Sequence, residues 1–160
     1  MKKNDFISLE ITGMTNEGNG VGRAPDGQAV FVPFTATGDK ISCKIVKTAK
    51  SYAYGIVDEI INPSEHRCDS DCEAFYKCGG CSFRHLSYEH ELQIKQDFVR
   101  DSFERIGKLS PEFEEILGCC QTDGYRNKAQ LPVASVDRKA VAGFFSKRSH
   151  RVMPLRDCSL

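Results

Sequence analysis

Four of the chain's eight cysteines fall within residues 68–81, in a stretch with no hydrophobic period. Such a segment has no apolar face to bury, so something other than a core must organise it. Within it, Cys72-Glu-Ala-Phe-Tyr-Lys-Cys78-Gly-Gly-Cys81 spaces three thiols as C-x5-C-x2-C. A Cys-x2-Cys turn lets two sulfurs converge on one centre. Gly79 and Gly80 remove Cβ atoms that would crowd a bulky inorganic core, and they permit positive φ. Thiolates in this pattern, with a fourth ligand from elsewhere, suit either zinc or an iron–sulfur cluster. The bland alternative is a set of buried free thiols, and three cysteines crowded into ten residues of unpatterned loop argue against it.

The remaining cysteines divide by setting. Cys68 lies four residues before Cys72 and competes with it as a ligand. The spacing from Cys68 through Cys72 to Cys78 breaks the C-x3-C-x2-C pattern of radical S-adenosylmethionine enzymes, which excludes that chemistry. Cys43 alternates with polar residues and reads as a small core residue. Cys119 and Cys120 are neighbours; on a strand they point to opposite faces and do not share one centre. Cys158, in a polar setting beside Arg156 and Asp157, is the best distant candidate for a fourth ligand.

Eight cysteines with no leader pattern point to a reducing compartment rather than a disulfide framework. The opening Met1-Lys2-Lys3-Asn4-Asp5 runs into alternating residues, not the continuous apolar stretch of a signal peptide. No run approaches the ~20 apolar residues of a membrane span. The expectation is a cytoplasmic protein with no membrane contact. Basic and acidic residues number 22 each, yet they are unevenly placed. Residues 63–120 hold seven basic against twelve acidic side chains, and residues 121–160 hold eight against three. A locally basic face is therefore available in the tail.

Residues 6–61 read as five short strands with tight links: residues 6–13, 19–24, 28–33, 39–47 and 52–61. Five strands in about sixty residues fit a small closed barrel of the OB type. Asn62-Pro63-Ser64 reads as a linker. From Ser87 the pattern is helical, with Tyr88, Leu92, Val99, Phe103 and Ile106 on one stripe. Ser87 suits the N-cap, Glu89 and Glu91 the first turn, and Gly107 the stop. Residues 113–119, 130–136 and 141–146 read as strands, the last two joined by a turn at Asp137-Arg138-Lys139.

Gly18-Asn19-Gly20-Val21-Gly22 lacks the Lys-Ser/Thr and helix of a phosphate-binding loop, and alternate glycines instead let a barrel strand coil tightly. Gly124-Tyr125-Arg126-Asn127-Lys128-Ala129-Gln130 combines an aromatic ring, cations and amides, which can stack on a base and hold phosphates. The alternative is a solvated turn. Lys147-Arg148-Ser149-His150-Arg151 is a second basic run. His66, His85, His90 and His150 have no metal-ligand spacing and are expected at the surface or at caps.

Together these segments resemble a known family. Thr12-Gly13-Met14, Glu17 to Arg23 and Val30-Phe31-Val32-Pro33 resemble a TRAM domain, an OB-like barrel associated with RNA-modifying enzymes. Cys72…Cys78-Gly-Gly-Cys81 resembles the iron–sulfur motif of 23S rRNA (uracil-5-)-methyltransferases of the RumA kind. Tyr125 to Gln130 resembles that family's signature at the start of its central domain, and Arg151 to Cys158 resembles the segment supplying a fourth cysteine. The resemblance implies a 4Fe-4S cluster on Cys72, Cys78, Cys81 and Cys158. It also implies ribosomal RNA held in part by Tyr125, Arg126, Asn127 and Lys128.

The implied organisation is a TRAM (OB-like) RNA-binding β-barrel over residues 1–62, an iron–sulfur loop and linking helix over 63–110, and the start of an α+β central RNA-binding domain over 111–160. The family's S-adenosylmethionine-binding domain, with its catalytic cysteine and base, would lie beyond residue 160. In the family a cysteine thiolate adds to uracil C6, C5 takes the methyl group, and a base removes the C5 proton, chemistry that needs an extruded or unpaired uracil. No catalytic residue and no S-adenosylmethionine-binding residue carries over to these positions. The expected protein is a monomer and an RNA methyltransferase when full-length. The rival expectation is a freestanding RNA-binding module with a structural four-thiolate zinc site.

Overall fold

The computed structural model describes residues 1–155 and 157–160, so Arg156, read above as a neighbour of Cys158, lies outside the described residues. The chain divides into two compact units. One comprises Met1–Asp69 and His85–Ile116, the other Ser70–Arg84 and Leu117–Leu160.

The first unit is built on five strands: β1 (Phe6–Met14), β2 (Asn19–Arg23), β3 (Ala29–Pro33), β4 (Lys40–Thr48) and β5 (Tyr52–Asn62). They close into a barrel in the order β1-β2-β3-β5-β4, with β3 and β5 parallel and the other pairs antiparallel. Period-two alternation turns Leu9, Ile11, Val30, Val32, Ile41, Cys43, Ile45 and Ala53 into the interior. Each such aliphatic side chain stabilises the fold by roughly 1.5–3 kcal/mol. Gly20 and Gly22 also face inward. A Cβ on Gly20 would collide with Thr35 and Ile11, and one on Gly22 with Leu9 and the Glu10 carbonyl. The alternate glycines are thus steric clearances in a tightly coiled strand, as expected.

A buried carboxylate ties the chain leaving the barrel back onto it. Arg67 grips Asp39 in bidentate fashion, Nε to Oδ1 at 2.8 Å and Nη2 to Oδ2 at 2.7 Å. The Ala36 and Ser64 amides donate to the same carboxylate at 2.6 and 2.9 Å. Arg67 Nη2 also donates to the Phe34 carbonyl at 2.9 Å. Asn62-Pro63-Ser64, which reads as a linker, and the residues after it as far as Asp69 therefore belong to the barrel's compact unit.

Helix α1 (Tyr88–Asp101) follows in the same unit and runs into a π-helical turn at Ser102–Ile106. Ser87 caps it by accepting the His90 N–H at 3.3 Å, and Gly107 ends the π turn through its N–H to the Ser102 carbonyl. The inward face differs from the expected apolar stripe. His90 and Ile94 are the buried residues, while Val99, Phe103 and Ile106 are exposed. The inward side is set by the His90 ring, stacked flat on His66 at 3.9 Å. Phe103 meets the Phe113 ring edge-on instead.

The second unit carries a three-stranded antiparallel sheet: β6 (Val133–Val136), β7 (Lys139–Phe145) and β8 (Val152–Pro154). Asp137 and Arg138 join β6 to β7 with φ of 51° and 63°, the paired positive values of a two-residue hairpin turn. Residues 113–119, expected as a strand, form none. An apolar stretch becomes a strand only when a neighbour takes its backbone hydrogen bonds, and here Phe113 packs by its ring.

Candidate functional site

The cysteine loop is shaped by two successive tight turns. The Phe75 N–H donates to the Cys72 carbonyl at 3.0 Å, and the Lys77 and Cys78 amides donate to the Ala74 carbonyl at 2.9 and 2.7 Å. The loop then joins the end of β7 as an added stretch of ladder: Cys78 bridges Ser146, and the Gly79 N–H donates to the Phe145 carbonyl. This corrects one reason given for the glycine pair, positive φ. Neither Gly79 nor Gly80 has a positive φ. A Cβ at Gly79 would stand 2.8 Å from the Phe145 carbonyl oxygen, and one at Gly80 would stand 3.0 Å from the Phe144 ring. The glycines let the loop lie close on the strand.

Cys78 is buried, Cys72 and Cys81 are half-buried, and Cys158 is exposed. The Gly80 N–H donates to the Cys78 sulfur at 3.4 Å. Burial pushes the Cys81 thiol pKa up; Arg84 opposes that by charge and hydrogen bond, and Cys158 and Cys78 add repulsion. Cys81 therefore lies within electrostatic reach of both Cys78 and Cys158. Among the described residues, no group of three or more His, Cys, Asp or Glu side chains is placed to hold one metal ion. The donor chemistry of this unit, thiols beside cations, suits a sulfur-rich anionic group.

Two cations attend the thiols. Arg84 is bound by Asp71 at 2.5 Å and by Asp123. Burial works against its charge, and the two carboxylates outweigh burial and raise its pKa. Burial lowers the Lys147 ammonium pKa, while Cys81 and Cys78 pull it the other way. Lys147 Nζ lies 4.8 Å from the centre of the Phe75 ring. Lys147, which the basic run 147–151 offered to phosphate, is thus engaged with the cysteine loop.

Tyr125, Arg126, Asn127 and Lys128 are all exposed, and the Arg126 guanidinium lies 6.0 Å from the Tyr125 ring centre. Their loop is anchored at its start, where the Gly124 N–H donates to the Ser159 carbonyl at 2.8 Å. Asp123 joins Arg84 immediately before it. One compact unit therefore brings together the loop of Cys72, Cys78 and Cys81, the segment of Cys158, and the aromatic-cationic loop.

The other cysteines have different surroundings. Cys43 is fully buried in the barrel, and burial pushes its pKa up to about 11. The Cys68 N–H donates to the His85 carbonyl in the barrel unit. Cys119 and Cys120 are exposed and lie outside any strand. Sequence reading missed the histidines: His85 is buried with its Nε2 donating to the Thr35 carbonyl at 3.0 Å, and His90 is buried against His66. Hydropathy carries no signal for either. It also missed the pairing of Asp39 with Arg67 across 28 positions.

Residues 4–57 match the TRAM domain profile. Over 158 residues the chain is 42% identical to an uncharacterized RNA methyltransferase of Listeria monocytogenes, covering 99% of this chain and 35% of that protein. It is 37% identical over 161 residues to another of Halalkalibacterium halodurans, covering 100% of this chain and 35% of that protein. Its fold is like that of the Pyrococcus abyssi tRNA (uracil-54, C5)-methyltransferase solved with S-adenosyl-L-homocysteine. The TM-score is 0.58 at 22% identity, over 94% of this chain and 32% of that one. The chain spans about a third of the length of the curated relatives it matches. Its barrel over residues 4–57 is a TRAM domain, in a chain aligned nearly end to end with proteins called RNA methyltransferases.

Proposed function

We propose that this chain is the RNA-gripping part of an S-adenosylmethionine-dependent rRNA uracil-5-methyltransferase, and that Cys72, Cys78, Cys81 and Cys158 hold a 4Fe-4S cluster. The observation that carries the reading is that one compact unit gathers the loop of Cys72, Cys78 and Cys81, the segment of Cys158, Arg84 and Lys147 with the exposed Tyr125–Lys128. A bound cluster would add a covalent tie between the loop and the end of the chain, with redox capability besides. Arg84 and Lys147 would offset its negative charge, and the Gly80 amide would keep its hydrogen bond to sulfur. Tyr125 supplies a stacking face, and Arg126 and Lys128 supply phosphate contacts. Asn127 offers an amide to a base edge. Methyl transfer belongs to a further domain of the whole protein, acting on an unpaired uracil in the cytoplasm, with the enzyme a monomer.

Anaerobic purification tests the cluster. The expected product is brown, with about four iron and four sulfide per chain. Colourless protein that takes one zinc after anaerobic reconstitution with iron and sulfide would favour the zinc-binding module instead. Serine at Cys72, Cys78, Cys81 or Cys158 should abolish iron binding, and Cys68→Ser should not. For RNA, Arg126→Ala with Lys128→Ala should flatten the dependence of log affinity on log salt by about 1.4 for a single-stranded contact. An unchanged slope would remove this loop from the RNA path.

A further inference from the structure

We infer that Cys119 and Cys120 form a reversible redox site: hydrogen peroxide joins their sulfurs in a disulfide, and the change loosens the loop Tyr125–Lys128. The effect on that loop rests on the RNA reading above, whereas the site itself does not. Both thiols are exposed, so a dissolved oxidant reaches them. Neither belongs to a strand or a helix. A strand would hold adjacent side chains on opposite faces, and no ladder imposes that here.

Adjacency decides the chemistry. The thiolate of one cysteine attacks the peroxide O–O bond, its sulfur becomes a sulfenic acid, and one water leaves. The neighbouring thiol then attacks that sulfur, the S–S bond forms, and the hydroxyl departs as a second water. The two thiols lose two electrons and two protons, and the peroxide takes them. A resolving thiol one residue away captures the sulfenic acid before it oxidises further. Consecutive Cα atoms stand about 3.8 Å apart, whereas most disulfides join Cα atoms about 4.4–6.8 Å apart. The bond is therefore strained, and a strained, exposed disulfide is readily reduced again.

Hydrogen bonds lead from this pair to the Tyr125 loop. The Cys119 S–H donates to the Gln121 carbonyl at 3.1 Å, and Gln121 Nε2 donates to the Asp123 carbonyl at 3.1 Å. The Asp123 carboxylate holds Arg84, and the next residue, Gly124, donates its N–H to the Ser159 carbonyl. A disulfide sulfur carries no hydrogen, so oxidation deletes the first bond of this series. Closing a ring over the Cys119–Cys120 peptide also resets the backbone torsions that lead into the rest.

Peptide mass mapping of the full chain tests the site. Trypsin releases residues 109–126, in which Cys119 and Cys120 are the only cysteines. After a small excess of hydrogen peroxide and capping with iodoacetamide, this peptide should have lost two hydrogens and gained no cap. Dithiothreitol should return two cappable thiols. In Cys120→Ser the peptide should gain oxygen instead, because the sulfenic acid has no resolving neighbour. Two capped thiols after peroxide, or a cross-link from either cysteine to another peptide, would overturn the site. Fluorescence anisotropy with a labelled strand of about ten uridines reads the consequence. Peroxide should weaken binding by the parent about fivefold, and dithiothreitol should restore it. Cys119→Ser with Cys120→Ser retains the other cysteines and should lack this response. The same response in parent and variant would deny that the pair acts on the loop. If the reduced parent binds no RNA, the RNA reading and the effect on the loop fall, while the peptide masses decide the disulfide by themselves.

Discussion

The barrel unit and the cysteine unit reach order by different means. In the barrel, nine buried apolar residues form one continuous cluster, and a desolvated ion pair closes the exit. In the cysteine unit the buried apolar side chains are few, Phe75, Cys78 and Val152 among them, and most of residues 117–135 is exposed. The first is specified by burial. The second is specified by backbone bridges and by Arg84 between two carboxylates. A chain can carry both modes because the second demands little apolar sequence, provided something else supplies the missing cohesion.

Four outcomes break or sharpen this contrast. The largest belongs to the ion pair. Arg67→Ala leaves Asp39 buried without its partner and should destabilise the barrel unit by about 3–5 kcal/mol, read as a lower urea midpoint. A loss below about 1 kcal/mol would mean that water reaches the carboxylate. Next in size is the response to iron and sulfide. Anaerobic reconstitution should slow amide exchange in residues 70–84 by up to about a hundredfold and leave β1 to β5 unchanged, as expected for a ligand bound well above its dissociation constant. Equal slowing in the barrel strands would deny that the two units are separately stabilised.

Smaller effects probe the helix that belongs to the barrel unit. Ser87→Ala removes the cap on the His90 amide and should cost about 1 kcal/mol in thermal or urea unfolding. The smallest effect is one of pH. Burial, aided by the neighbouring His66, holds the His90 pKa below 6.5, with Asp97 opposing. The folded state then binds fewer protons at His90 than the unfolded state. Its contribution is complete above pH 6.5 and is lost as the pH falls through that value. Asp39 behaves alike in a lower range: burial opposes its ionisation, and Arg67 with the Ala36 and Ser64 amides overcomes that, so its contribution fades below pH 3.8. Melting temperature against pH should show two separate declines, and His90→Gln should erase only the upper one.

These features were unequally legible in the sequence. The five strands were plain because their alternation is strict and their links are short. Cys43 followed from the same alternation. Spacing locates the cysteine loop, yet it does not reveal the close approach of Gly79 and Gly80 to Phe145 and Phe144, which joins residues about 65 positions apart. The buried side of α1 was hidden for a different reason. Two stacked histidines provide its inward contact, and a hydropathy stripe directs attention to Val99 and Phe103. Residues 113–119 carry strand-forming apolar residues, but strand formation is decided by a partner, which the local sequence does not reveal.

The order of strands in the barrel also sets a schedule. β5 is made last and lies between β3 and β4, so the four earlier strands enclose no interior until residues 52–62 arrive. The grip on Asp39 comes later still, because Arg67 follows it by 28 residues. At about 5–20 residues per second of synthesis, the Asp39 carboxylate waits roughly 1–6 s for its guanidinium. During that interval the half-built sheet exposes β3 and β4 as open edges, and a nascent chain in this state is a natural client for whatever shields unpaired strands at the ribosome.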